Sequence, residues 1–120
     1  KPPTTDIPGS ETIDIFVEAS NYDLEKIATV TVVPDGSLIV NALQSNILDV
    51  KRLSDIKRLQ RAVEAITARP ELELIGETRE MIDGRWIYTT EGFSVSKTDR
   101  DYPYAVREAL NSEFGFYTEE

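Results

Sequence analysis

Histidine and cysteine are both absent from this 120-residue chain, and methionine and tryptophan occur once each. Without histidine the chain lacks the side chain that titrates nearest physiological pH. Without cysteine it lacks the usual thiol nucleophile and, with histidine gone too, the common ligands of zinc and iron. Ser/His/Asp and Cys/His triads, cysteine-rich zinc ribbons and iron–sulfur clusters are therefore excluded. No glycine-rich phosphate loop is present, and no apolar run approaches the roughly 20 residues of a membrane-spanning helix. Chemistry is left to carboxylates, hydroxyls, lysine, arginine and tyrosine. The missing cysteines suit a reducing or an oxidising compartment equally and assign neither.

What is present is ordinary for one globular domain. Apolar residues make up 40% and charged residues 29% of the chain, enough to build a core without disulfides or metal. A net charge of −9 opposes nucleic acid and anionic membrane as partners, because the summed field repels polyanions. Residues 1–10 hold three prolines, a glycine and three hydroxyl side chains. That composition reads as a linker or tail, leaving 11–120 as a single domain. With Lys1 first and Met81 the sole methionine, the chain is expected to be a domain of a longer protein. A processed secreted chain or a trimmed one are the alternatives.

Periodicity supplies the elements. Ile13, Ile15, Val17 and Ala19 alternate with Asp14, Phe16 and Glu18 as a half-buried strand does. Val- and Thr-rich residues 27–33, the turn Pro34-Asp35-Gly36 and Leu38-Ile39-Val40 predict a hairpin. Asn21-Tyr22-Asp23 reads as the turn before it. Leu53, Ile56, Leu59, Val63 and Ile66 recur every three or four residues, predicting a helix from about 49 to 68, capped by Asn46 or Asp49. Arg69-Pro70 ends it. Leu72 and Leu74 then alternate with glutamates, Asp83-Gly84 is a two-residue hairpin turn, and 85–90 and 93–97 read as two strands with Gly92 between them as a turn or a bulge. Asp101-Tyr102-Pro103 opens a last helix through about 112, with Asp101 or Tyr102 at the cap. The expected fold is α+β, an antiparallel sheet in the order β-β-β-α-β-β-β-α with helices packed on one face.

Charge is unevenly spread. Residues 1–48 carry two basic and seven acidic groups, and 70–120 carry five and twelve, whereas 49–69 carry six and three. Lys51, Lys57, Arg58, Arg61 and Arg69 fall within roughly one third of a helical wheel, opposite the apolar face. This basic stripe is a candidate partner-binding surface. The plainer account is a solvated helix face, with Asp55 pairing to Arg58 three residues on. Aromatics give the second candidate surface. Trp86 and Tyr88 share one face of their strand, Arg85 and Ile87 the other, and Phe16 lies opposite Ile13, Ile15 and Val17. An open sheet face carrying these rings suits a protein interface; a place for Trp86 and Tyr88 in the core is the alternative. Tyr102, Tyr104, Phe114, Phe116 and Tyr117 form another cluster, expected to tie down the last helix.

Paired carboxylates are the remaining chemical option. Asp99 and Asp101 flank Arg100, and Glu77 and Glu80 share a strand, but glycoside hydrolysis needs two carboxyls converging in a cleft. Asp99-Arg100-Asp101 reads as a turn and helix cap, and as only a fragment of an EF-hand calcium loop. No catalytic or metal-ligating residue and no cofactor is assigned. The chain is expected to be a non-catalytic interaction or accessory domain within a larger protein or assembly, with a protein partner, a second copy of itself included. The alternative is a stand-alone acidic inhibitor or chaperone-like escort covering a basic or apolar surface. In element order, acidity and size the chain resembles small acidic secretion chaperones. It departs from that group where a proline-rich segment replaces the expected N-terminal helix.

Overall fold

A computed structural model of the chain describes residues 8–19, 22–43 and 50–118. The Asn21 turn residue, the candidate caps Asn46 and Asp49, and residues 1–7 of the N-terminal segment lie outside the described residues. Among the described residues, six strands and two helices follow in order: β1 (Glu11–Glu18), β2 (Leu24–Val32), β3 (Leu38–Ala42), α1 (Val50–Thr67), β4 (Glu71–Ile82), β5 (Arg85–Ser96), α2 (Tyr102–Ser112) and β6 (Tyr117–Thr118). The fold is α+β and antiparallel, with helices on one face of the main sheet, as the periodicity predicts.

The main sheet has the spatial order β3-β2-β1-β6. Ile13, Ile15 and Val17 face the helices and are buried. The register shifts between Ile15 and Phe16, leaving Ile27 with no residue opposite it, a β-bulge. The bulge places Ile27 and its neighbour Ala28 both in the core, which strict alternation forbids. At the β2–β3 turn, Asp35 Oδ1 accepts the Ser37 N–H at 2.8 Å and Gly36 adopts φ +91°.

Helix α1 buries Ile56, Leu59, Ala62, Val63 and Ile66 against this sheet. Arg52 lies on the same stripe and is also buried; its guanidinium donates to both Glu25 oxygens on β2 and to Asp55, each at 3.0 Å. A charged side chain inside is stable there only because its donors are taken. Helix α2 buries Tyr102, Ala105, Val106, Ala109 and Leu110. Asp101 stands at its N-cap without a side-chain cap bond. The turn is instead held by Asp99, whose Oδ1 accepts the Asp101 N–H at 2.8 Å.

The second half departs from the expected strand pattern. Strands 85–90 and 93–97 are one continuous strand, β5, and Gly92 is neither turn nor bulge but sits mid-strand opposite Ile75. Only Asp83-Gly84, with φ +51° and +77°, supplies the left-handed pair that a tight hairpin needs. The order is therefore β-β-β-α-β-β-α-β, and the unforeseen β6 closes the main sheet by pairing Tyr117 with Phe16. β4 and β5, twelve residues each, form a separate two-stranded sheet. At about 3.3 Å per residue this ribbon is some 40 Å long. It accounts for an elongated shape of 61 × 37 × 25 Å and a radius of gyration of 16.9 Å, against about 14 Å for a compact chain of this length.

Candidate functional site

Only the base of the ribbon is in the core. Leu72 and its cross-strand partner Val95 are buried and Leu74 packs against the core, but from Ile75 to Ser94 every residue except Gly76 is exposed. Seven of the twelve large hydrophobics exposed among the described residues belong to this ribbon. The register sorts them onto both faces: Ile82, Ile87 and Phe93 continue the Leu72 face, and Ile75, Met81, Trp86 and Tyr88 occupy the other. Trp86 and Tyr88 are 50% and 57% exposed, so neither is core. Arg79 stacks over the Trp86 ring at 4.8 Å. A lone two-stranded ribbon is marginally stable in water, and these apolar side chains are left exposed on both of its faces.

The sequence brought out Trp86 and Tyr88 but missed Ile75, Met81, Ile82, Ile87 and Phe93. A signal was there: Met81-Ile82 and Trp86-Ile87-Tyr88 are consecutive apolar residues, and a strand with one solvated face alternates instead.

Phe16 is separated from those rings, since it belongs to the other sheet. It lies on the face of the main sheet away from the helices, half-buried, opposite Lys26 and Tyr117. That face is largely polar: the Thr12 and Thr31 hydroxyls lie 3.4 Å apart, and Lys26 pairs with Asp14 at 3.1 Å. Tyr102 and Phe116 of the other aromatic cluster are buried, Phe114 packs on the core, and Tyr104 and Tyr117 are exposed.

The basic stripe divides in two. Arg58 donates to the Phe114 carbonyl at 2.6 Å, stacks 3.9 Å over the Phe116 ring and approaches Asp55 at 3.8 Å. Arg69 grips both Glu113 oxygens, at 2.6 and 3.0 Å. These two cations fasten α1 to the segment after α2. Lys51, Lys57 and Arg61 are exposed, and Lys57 and Arg61 make no ion pair among the described residues. With Val50, Leu53 and Ser54 they line a shallow depression of about 250 Å³.

The Arg69 clamp has a measurable pH signature. Hydrogen bonds from Arg69 hold the Glu113 carboxyl below its ordinary value of 4.5. A carboxyl depressed in the folded state stabilises fully above its unfolded value and ceases to do so as pH falls through the folded one. Glu113→Gln is therefore expected to melt below the wild type at neutral pH, with the gap closing as pH drops below 4.5. A gap that persists unchanged under acid would deny the clamp this role.

A second depression, of about 280 Å³, lies between the end of β2 and the start of α2 and is lined by Glu11, Lys97, Asp99, Arg100 and Tyr102 among others. Two of its charges are engaged: Lys97 donates to the Thr67 carbonyl at 2.7 Å and Asp99 holds the α2 turn. The Tyr102 hydroxyl is buried without a hydrogen-bond partner, and burial raises its pKa. Glu77 and Glu80 point to opposite faces of β4 and do not converge. No cluster of three or more acidic side chains suited to a metal ion occurs among the described residues, and no described helix is long and apolar enough to cross a membrane.

No protein-family model, curated protein or solved structure matches this chain. The surface itself must carry the functional argument.

Proposed function

We propose that this chain is a non-catalytic interaction module, accessory to a larger protein or assembly, which engages a protein partner through the β4–β5 ribbon. The observation that supports this most is the concentration of exposed Ile, Met, Trp and Tyr side chains on an element that leaves the core after its first few residues. Tryptophan, tyrosine and arginine dominate binding energy at protein interfaces, and Trp86, Tyr88 and Arg79 stand together on one ribbon face. Ribbon and body divide the work: the main sheet with α1 and α2 forms the folded base, and the ribbon offers the contact.

A triple variant, Met81→Ser, Trp86→Ser and Tyr88→Ser, is the test. Its substitutions lie outside the core, so thermal unfolding is expected to shift little, each change costing about 0.5 kcal/mol or less. Capture of partners present with the wild type is expected to fall at least about tenfold. A variant that keeps the same partners at the same strength would overturn the reading.

A further inference from the structure

We propose that the partner of the ribbon is a second copy of this chain: the face bearing Trp86 and Tyr88 seats in the depression beside α1 of the other copy, and the two copies exchange ribbons reciprocally. This rests on the ribbon being the binding element and names what it binds.

Complementary chemistry carries the inference. The depression has an apolar side, where Leu53 lies beside Val50, itself 85% exposed. Its other side is Lys57 and Arg61, one helical turn apart and without ion-pair partners among the described residues. The ribbon face offers the converse: Trp86, Tyr88 and Met81 for the apolar side, Glu73 and Glu77 on the same face for the cations, and between Met81 and Glu77 the Arg79 side chain, held over the Trp86 ring. Over its length the ribbon carries six acidic and two basic residues, while the exposed charges of α1 are Lys51, Lys57 and Arg61 against Glu64. A chain of net charge −9 repels its own copy on average, and the exposed cations of α1 relieve that repulsion locally. Acidic ribbon against basic α1 is a complementary pairing that favours this way for two copies to meet. A two-fold arrangement uses each patch twice, so one pair of surfaces closes the dimer and leaves neither exposed.

The experiment is a charge exchange read by sedimentation equilibrium. The wild type is expected to rise across the micromolar range from 13.5 kDa to twice that mass. K57E/R61E, with both patches acidic, and E73K/E77K, with both basic, are each expected to associate at least about tenfold more weakly. An equimolar mixture is expected to recover the dimer, since both reciprocal contacts are then matched again. A wild type that stays monomeric, variants that dimerise unchanged, or a mixture that remains monomeric would each overturn the proposal.

A second measurement does not depend on those variants folding. The chain has no cysteine, so a disulfide between a copy carrying S54C and a copy carrying T90C reports only on contact between copies. Ser54 lines the depression, and Thr90 lies on the Trp86 face of β5 with Thr89 on the other. T90C is expected to link to S54C at least several-fold faster than T89C does. Equal linking would sink the proposed face. A monomeric wild type whose Met81/Trp86/Tyr88 triple variant still loses a different protein would reject the second copy while leaving the ribbon as the binding element. A triple variant that loses nothing would reject both.

Discussion

Phe116→Ala is expected to remove about 3–5 kcal/mol of folding stability, a large share of the roughly 5–15 kcal/mol of an ordinary domain. Phe116 is fully buried at the junction of the helices and β6. Its loss opens a cavity in the close-packed core cluster to which it belongs. It also removes the ring under the Arg58 guanidinium, which stays tethered to the Phe114 carbonyl beside an empty space. Its backbone N–H donates to the Leu110 carbonyl, closing the end of α2, and its carbonyl accepts from the Asn111 amide at 2.9 Å. The midpoint of urea unfolding measures the loss. Phe116→Leu, which keeps most of the volume but not the ring face, is expected to cost about half as much. A loss under about 1 kcal/mol for the alanine variant would mean that the C-terminal segment does not seal the core.

Gly36→Ala is the second large effect, and it acts on how the ribbon is seated. Gly36 is buried, has φ +91°, and an added Cβ would stand 2.9 Å from the Lys97 carbonyl oxygen and 3.1 Å from its Cα. Backbone cannot step aside as a side-chain tip does. Left-handed strain costs about 1–3 kcal/mol and the overlap a similar amount, so a total of about 3 kcal/mol or more is expected. Lys97 directly follows β5 and donates to the last residue of α1. The β2–β3 turn thus clamps the point where the ribbon enters the body. Gly84→Ala separates the two contributions: φ is +77° there but nothing lies within 4 Å. It is expected to cost only the strain, about 1 kcal/mol. Equal losses at the two glycines in thermal unfolding would remove the clamp from the account.

The base of the molecule was legible in the sequence, and the ribbon only partly so. Strict alternation in β1 and the three-and-four spacing of α1 are direct imprints of burial on one side, so both elements fall where the pattern puts them. The Ile15/Phe16 bulge has no such imprint, because either order of side chains around Ile27 is compatible with a strand. β6 is two residues long and exists only through its pairing with β1, a tertiary choice that local pattern does not carry. Arg52 shares a stripe with Ile56 and Leu59, and a cation there signals an acidic partner across the packing, which proves to be the partly exposed Glu25 on β2. Arg58 and Arg69 look like part of one solvated arc on a helical wheel. Their engagement with Phe114, Phe116 and Glu113 depends on a segment more than forty residues away. In the ribbon, Gly92 suggested a break because glycine usually interrupts strands. Here it lies opposite Ile75, and an added Cβ would meet the Glu73 carboxylate at 2.9 Å.

The placement of the single tryptophan has a spectroscopic consequence. Most small domains bury their indole, so its emission follows unfolding. Here the one indole is already half in water on a projecting ribbon, whereas the core is built from Ile, Val, Leu, Tyr102 and Phe116. Denaturant should therefore shift the emission little while circular dichroism records the full transition. Docking of the ribbon should move the emission to shorter wavelength with no change in secondary structure. Trp86 is a native fluorophore that is nearly silent on folding and reports on occupancy of the ribbon.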